Sequence, residues 1–408
     1  MVQSDDVSSS ETAANRGSCS EVFRVFLKLG LTSFGGPVAH LGYFRDELVV
    51  RRKWIDEAGY ADLVALCQFL PGPASSQVAF ALGVLRGNGL PGGLAASLAF
   101  TLPSALVLVV LALGATSLAG SSADGLLHGL KLVAVAIVAQ AVWGMARSLT
   151  PDKPRAAIAL IAVAVLVFVG GAVSQFAAII SGALLGLWLC RDYGTVPAGS
   201  FKFPVKRNTA ISALILFTVL FALLPLLAVI TGQQGFMLFD AFYRAGALVF
   251  GGGHVVLPLL QAEVVAPQWV SNEVFLAGYG LAQSVPGPLF TFAAYLGAVM
   301  QPQPNGIVGA LIALVAIFLP GLLLVYGILP FWDRLRRRQT AQAAMRGANA
   351  AVVGILGAAL YNPLWTSAIL TAQDFALALT GFLLLTVWKI QPWIIVVLLA
   401  GAGMITAI

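Results

Sequence analysis

The sequence predicts an all-α polytopic integral membrane protein built from two inverted-topology repeats with broken or re-entrant helices. Composition is the first observation: 59% of the 408 residues are hydrophobic and only 10% are charged, whereas soluble domains are about a quarter charged. Long apolar stretches without the alternating pattern of a membrane β-barrel are the second. An internal repeat is the third. The net charge of +6 indicates Lys and Arg in cytoplasmic loops rather than a nucleic-acid surface.

Apolar segments occur thirteen times, and most are long enough to cross a hydrocarbon core as helices. They lie at about 22–44, 58–85, 91–118, 126–147, 155–172, 174–190, 208–231, 238–262, 274–300, 305–329, 340–361, 374–390 and 391–408. We divide the chain into a disordered cytoplasmic tail (1–21), a first repeat (22–190), a basic linker with a linking transmembrane helix (191–237) and a second repeat (238–408).

Four of these segments are interrupted by Gly and Pro at a density that stops a helix. The interruptions are Ser33-Phe34-Gly35-Gly36-Pro37, Leu70-Pro71-Gly72-Pro73, Phe250-Gly251-Gly252-Gly253-His254 and Val285-Pro286-Gly287-Pro288. Each interrupted segment is either a kinked spanning helix or a re-entrant hairpin of two half-helices.

The two halves carry the same residue types at matching distances from these interruptions. The pairs are Lys28 and Arg244, Glu47 and Glu263, Trp54 and Trp269, Gln68 and Gln283, and Leu102-Pro103 and Leu319-Pro320. Re-entrant hairpins would place every large Lys and Arg cluster on the cytoplasmic side, as the positive-inside rule requires. Thirteen simple spans would not. We therefore favour hairpins, with the linking helix inverting the second repeat.

A half-helix that begins inside the membrane exposes unpaired N–H groups and the positive end of its dipole. Such interruptions are tolerated only against protein or a water-filled cavity, and Lys28 and Arg244 would add positive charge nearby. This combination suits a tetrahedral oxyanion. The predicted substrate-binding residues are Lys28, Ser33, Gly35, Gly36, Pro37, Gln68, Pro71, Gly72, Pro73, Ser75, Ser76, Arg244, Gly251, Gly252, Gly253, His254, Gln283, Pro286, Gly287, Pro288 and Thr291.

Plainer interpretations stand beside this one. Glycines in membrane helices often serve only close packing, Glu47 and Glu263 suit salt bridges, and Trp54 and Trp269 suit interface anchors. The sequence has no phosphate loop, HExxH or GxSxG motif, so we expect no enzyme, no cofactor and no metal. A membrane scaffold would not need paired interruptions or duplicated cations.

At these residues the chain resembles the chromate ion transporter family in its long, two-domain form. The matching stretches are Phe26 to Pro37, Gln68 to Pro73, Gly251 to Pro258 and Gln283 to Pro288. The resemblance implies a bacterial inner-membrane protein that exports chromate and confers resistance to it. Family motif residues carry over to Lys28, Gly35, Gly36, Pro37, Gln68, Pro71, Gly72 and Pro73 and to their second-half partners, except that Gly253 stands where the first half has Pro37.

The expected function is thus a secondary active transporter that exports chromate, with sulfate or another oxyanion as the alternative and a scaffold as a weaker one. A dianion leaving a negative cytoplasm gains roughly 5 kcal/mol at about 100 mV. Besides the oxyanion, the expected partner is the lipid bilayer. A homodimer is left open, and no nucleic acid is expected.

Overall fold

In the computed structural model, which describes residues 17–115, 121–191 and 203–406, the chain is helical and the described residues contain no strand. The main helices are α1 Cys19–Thr32, α2 Gly36–Phe44, α3 Glu57–Phe69, α4 Ala74–Arg86, α5 Leu90–Ala115, α6 Ser121–Leu149, α7 Lys153–Val169, α8 Gly171–Leu189, α9 Arg207–Thr231, α10 Gln234–Ala247, α11 Val256–Val264, α12 Asn272–Ala282, α13 Phe292–Val299, α14 Gly306–Ile328, α15 Gln339–Ala359, α16 Ala372–Thr386 and α17 Pro392–Thr406. Two helical turns, Trp332–Leu335 and Thr366–Ala368, follow α14 and α15. Single 3₁₀ turns, Gly253–Val255 and Leu289–Thr291, lead into α11 and α13. Helix α2 runs on as a π-helix to Arg51.

The predicted tail lies mostly outside the described residues. Helix α1 begins at Cys19, so the prediction of disorder was wrong for residues 19–21. The Ser18 hydroxyl accepts the Glu21 N–H at 3.1 Å and caps this helix, as N-cap serines commonly do. Most of the predicted basic linker also lies outside the described residues, and α9 follows it.

Helices α1–α8 and α10–α17 follow one another in the same pattern, and the two sets interlock. Helix α6 of the first set packs against α16 and α17, while α15 of the second set packs against α7 and α8. Glycines allow these backbones to touch: Gly129 meets the Leu399 carbonyl, and Gly347 meets the Gly182 carbonyl. Small residues permit such close approach between membrane helices. Each half therefore completes the core of the other.

Each interrupted segment folds back on itself. Lys28 Nζ lies 3.5 Å from Glu47 Oε2, and Arg244 Nη2 lies 3.1 Å from Glu263 Oε2. In a continuous helix, residues that far apart in sequence would be separated by about 28 Å. The ring centroids of Phe275 and Phe292 lie 5.3 Å apart, and α3 likewise packs against α4. The segments are hairpins of two half-helices, as a re-entrant arrangement requires, and the kinked-span interpretation was wrong.

Fewer helices than expected can span a membrane. Within the described ranges, five are long and apolar enough, namely α5, α6, α9, α14 and α15 with their extensions. Helices α7, α8, α16 and α17 have 17, 19, 15 and 15 residues, slightly short of the roughly 20 that a full span needs. Of helices α5 to α9, the three long ones (α5, α6 and α9) give an odd number of passes, and the number stays odd if the shorter pair α7 and α8 also crosses. The second half is therefore inverted relative to the first.

The buried core has two parts. A smaller cluster joins α1–α4 and the N-terminal half of α5 to the C-terminal end of α14, and a larger one holds the rest of α5 and the remaining helices. Trp54 belongs to the smaller cluster at 3% exposure, with the Arg86 guanidinium 5.4 Å from its ring centroid. The prediction of an interface anchor at Trp54 was therefore wrong. Exposed apolar side chains such as Phe168 and Val229 mark surfaces suited to lipid.

The hairpin topology predicts which face of the membrane each loop lies on. Arg52, Arg147 and Pro267 are all exposed, so a cysteine at each position is accessible to a reagent. We expect Arg52→Cys and Arg147→Cys to react with a membrane-impermeant maleimide only from the cytoplasm, and Pro267→Cys only from outside. The exposed native Cys19 is replaced by Ser in all three proteins. Labelling of positions 52 and 147 from opposite faces would contradict the hairpins.

Candidate functional site

The two halves dock crosswise at their helix interruptions. The Gly72 N–H donates to the Val249 carbonyl at 2.7 Å, and the Gly287 N–H donates to the Ser33 carbonyl at 2.9 Å. Gly72 and Gly287 are equivalent in the repeat, and so are Val249 and Ser33, each two residues before the first glycine of its interruption. The bonds are therefore one interaction made twice. Each Pro-Gly-Pro tip closes the open helix end of the opposite half.

Six residues of this junction have positive φ angles, and all six are glycines. Other residues adopt such a backbone conformation only with strain. The φ angles of these glycines are 99°, 77° and 121° at Gly35, Gly36 and Gly72, and 73°, 155° and 104° at Gly251, Gly252 and Gly287. The three positions in one half match the three in the other. The duplication of glycine therefore follows from the required geometry.

The tips also need glycine for close contact. A Cβ atom at Gly72 would lie 3.0 Å from Gly321 Cα, and one at Gly287 would lie 2.8 Å from Ser104 Oγ. Ser104 and Gly321 each follow the Leu-Pro pair of their half. Gly72 was predicted to let an anion approach closely. Its N–H is bonded to the Val249 carbonyl, and the residue lies against Gly321 of α14, so Gly72 also builds the junction. Its contact with an anion stays a prediction.

Four half-helices begin at this junction. Helices α2 and α4 start there in the first half, and the turns leading into α11 and α13 start there in the second. A Cβ atom at Gly253 would lie 2.9 Å from Pro37 Cγ, so the two sets meet at equivalent positions. Pro73 and Pro288 precede their helices as N-caps, one residue earlier than the first-turn position expected of them. Four positive helix ends thus converge.

Polar side chains distinguish the first tip from the second. Ser33 and Ser76 are 0% and 1% exposed, and neither hydroxyl has a hydrogen-bond partner among the described residues. His40 contributes an equally unpartnered Nε2, while its Nδ1 lies 3.4 Å from Ser75 Oγ. In contrast, the Thr291 hydroxyl donates to the Pro288 carbonyl at 2.7 Å. The free hydroxyl groups lie in the first half.

Gln77 and His254 stabilise the surroundings of the junction. The Gln77 side-chain amide donates to the carbonyls of Pro71 at 2.8 Å and Gly321 at 3.1 Å, which ties the first tip to α14. His254 Nδ1 lies 2.7 Å from the Tyr279 hydroxyl and links the start of α11 to α12.

Three predicted site residues lie differently from the rest. Gln68 is exposed, although its counterpart Gln283 keeps a buried amide nitrogen without a partner in the described part of the chain. Lys28 and Arg244 form the hairpin ion pairs described above, and Arg244 also contacts Asp240 at 2.9 Å. The interpretation of Glu47 and Glu263 as salt-bridge partners is thus confirmed.

Open surface depressions lie away from the junction. One, of about 420 Å³, lies between the α11–α12 loop and the end of α13. Another lies between α9, α10 and α14 and is almost wholly apolar. We place the candidate site at the junction because the helix ends and unpartnered polar atoms converge there.

Sequence reasoning missed several residues of the junction. Val249, Ser104 and Gly321 carry no motif of their own, and the last two were detectable only as the residues following the duplicated Leu-Pro pairs. Asn349 was also missed. It lies on α15 with its Oδ1 3.7 Å from the position of a Cβ atom on Gly251.

Two inverted repeats whose re-entrant hairpins meet at broken helices define an architecture that recurs among membrane transporters. The profile of the chromate transporter family matches residues 20–187 and again residues 236–405. The chain therefore belongs to the chromate transporter family.

Curated relatives agree with this assignment. The chromate transport protein of Pseudomonas aeruginosa is 29% identical, over 94% of this chain and 91% of that protein. The probable chromate transport protein of Synechococcus elongatus is 28% identical, over 95% of each chain. An uncharacterized transporter of Methanocaldococcus jannaschii is 26% identical, over 84% of this chain and 83% of its own length. No solved structure matches the chain.

The crossed docking predicts a specific rescue. We expect Gly287→Ala to destabilise the protein by about 1–3 kcal/mol, because it adds backbone strain and crowds Ser104. Ser104→Gly should recover part of this loss, because it removes the crowding side chain. Gly72→Ala should destabilise the protein more, since it faces the Gly321 backbone. Thermal unfolding in detergent measures all of these variants. A Gly287→Ala protein as stable as the parent, or indifferent to Ser104→Gly, would refute the docking geometry.

The ion pairs predict unequal effects on stability. Arg244→Ala leaves the mostly buried Asp240 and Glu263 carboxylates unpaired, so we expect a loss of about 3–5 kcal/mol. Lys28→Ala should lose about 1 kcal/mol or less, because Glu47 keeps Arg51 at 2.7 Å and Arg52 at 2.8 Å. Equal losses would show that the extra partners do not matter. Reduced anion transport by a well-folded Lys28→Ala protein would support the predicted substrate role of Lys28.

Proposed function

We propose that this protein is a secondary active transporter that exports chromate from the cytoplasm across a bacterial inner membrane and so gives resistance to it. The observation that carries the proposal is the convergence of four half-helix starts beside the buried, unpartnered hydroxyls of Ser33 and Ser76. Two near full-length relatives are also named as a chromate transport protein and a probable chromate transport protein.

The chemistry of the junction favours an anion with several oxygens. The first N–H groups of each helix have no partner within it, and they carry partial positive charge. Anions bind readily at such helix ends. A buried hydroxyl without a partner costs about 1–3 kcal/mol, and an oxyanion would accept its hydrogen bond. A tetrahedral oxyanion has enough acceptors to meet hydroxyls and backbone N–H groups together.

We further propose that the first half supplies most of the binding contacts. The Ser33 and Ser76 hydroxyls have no hydrogen-bond partner among the described residues, whereas the Thr291 hydroxyl donates to the Pro288 carbonyl at the start of its own helix. Gly36 leaves open space, with no atom within 4 Å of the position of a Cβ atom. Its counterpart Gly252 has only Met145 Sδ nearby, at 3.7 Å. The preceding pair differs more, because a Cβ atom at Gly251 would meet Leu149, Met145 and Asn349, whereas one at Gly35 would meet only Ala39.

The membrane potential favours export. A dianion that leaves a cytoplasm at about −100 mV gains roughly 5 kcal/mol, so the membrane potential alone could drive it. Sulfate has the same charge and shape as chromate and is the alternative substrate.

Everted membrane vesicles test this proposal. Uptake of labelled chromate into everted vesicles corresponds to export, and we expect it to rise with an inside-positive potential. Accumulation above the outside concentration should vanish when the potential is collapsed. Labelled sulfate is tested in parallel, and vesicles without the protein are the control. Transport of sulfate but not chromate would correct the substrate. No transport of either anion would reject the proposal.

The asymmetry of the tips gives a matched pair of variants. Ser76→Ala should raise the KM for chromate about 3- to 10-fold, because a hydrogen bond to a charged acceptor is lost. Thr291→Val should change the KM much less, because that hydroxyl is already bonded within the protein. Initial rates in everted vesicles, corrected for the amount of folded protein, provide the measurement. Equal effects of the two changes would move the binding contacts away from the first tip.

A further inference from the structure

A single lysine in α6 has no role in the fold described so far. Lys131 lies seven residues inside the apolar stretch Asp124–Leu149, and its side chain is half-buried. Within residues 17–115, 121–191 and 203–406 it makes no hydrogen bond or ion pair, unlike Lys28 and Arg244. A charged side chain inside a membrane segment is expensive and generally faces a partner or a water-filled pathway.

The repeat identifies the counterpart of Lys131. Gly129 packs on α17 as Gly347 packs on α8, so residues 129 and 347 are equivalent. Two residues further on, Lys131 corresponds to Asn349. Asn349 lies beside Gly251 and keeps a buried Oδ1 without a partner among the described residues. The repeat that matches Asn349 with Lys131 also matches Gly251 with Gly35. Since Asn349 lies beside Gly251, the repeat places Lys131 on the side of Gly35.

The alternative is that Lys131 only extends its charge towards the lipid headgroups, as long basic side chains do. Its counterpart argues against this, because asparagine is too short to reach the interface and yet is polar at the same depth. The surroundings of Lys131 also belong to the interior. A Cβ atom at Gly280 would lie 2.7 Å from the Leu130 carbonyl, so α6 touches α12 one turn before Gln283.

We propose that Lys131 lines the anion pathway and binds the oxyanion on the side of the Gly35–Gly36 interruption. This inference rests on the proposed function and adds a charged residue to its site. The ammonium group supplies three donors and the positive charge that Lys28 and Arg244 share with carboxylates. Gly36 has open space around it, so an anion held by Lys131 can also reach the start of α2.

Chemical rescue tests the proposal. In a Cys19→Ser background, Lys131→Cys should raise the KM for chromate at least about tenfold, since a charge-assisted hydrogen bond is lost. Aminoethyl methanethiosulfonate, which restores a cation at position 131, should return most of the activity. Methyl methanethiosulfonate should not. Lys131→Arg should retain transport, and the exposed Lys153→Cys is the control and should show neither loss nor rescue.

Labelling separates failure of this inference from failure of the proposed function. The thiol introduced by Lys131→Cys should react with the aminoethyl reagent, and millimolar chromate should slow that reaction. An unreactive thiol in folded protein would overturn the inference even if the parent transports chromate. A reactive thiol that sulfate but not chromate protects would uphold the anion site and reject chromate as the substrate. A reactive thiol that neither anion protects, or rescue by the neutral reagent, would also overturn the inference.

Discussion

Backbone hydrogen bonding inside an apolar interior is the constraint on which this structure depends. A broken helix exposes N–H and carbonyl groups that lipid cannot satisfy. The same hydrogen bond forms twice in this chain. The tip glycine of each half donates its N–H to a carbonyl at the helix interruption of the other half. Neither hairpin pair can close its own break. The two repeats must therefore be present together, inverted and in register.

Most of the fold could be predicted because its signals are local or repeated. Glycine and proline mark each interruption, and the equal spacing of Lys28 and Glu47 against Arg244 and Glu263 reflects real ion pairs. The positive-inside rule then favoured hairpins over spans. In contrast, the spacing of the Pro-Gly-Pro motifs does not reveal which residues of the other half they contact. Gly72 was predicted as a ligand contact from its motif, and only the structure shows that its N–H is bonded to the Val249 carbonyl.

The site was only partly predictable for a related reason. Ser33 and Ser76 were found because they adjoin a motif, whereas Lys131 and Asn349 stand in the middle of long helices with no motif around them. Their equivalence emerges only after the glycine contacts of α6 with α17 and of α15 with α8 fix the register. Where the two halves share little sequence similarity but pack in the same way, only the structure shows which residues are equivalent.

The two halves differ in the side chains that surround their glycine interruptions and in the partners of their cations. Side chains of Met145, Leu149 and Asn349 lie near Gly251, whereas only Ala39 lies near its counterpart Gly35. Cations differ in the same sense: Arg244 is shared by two carboxylates, whereas Lys131 is free of any within the described residues. An anion entering a nearly symmetric junction would therefore meet more unshared positive charge and more free donors in the first half. Identical halves would offer it two equal sites, and under the proposed function the sequence differences between the halves would favour one of them.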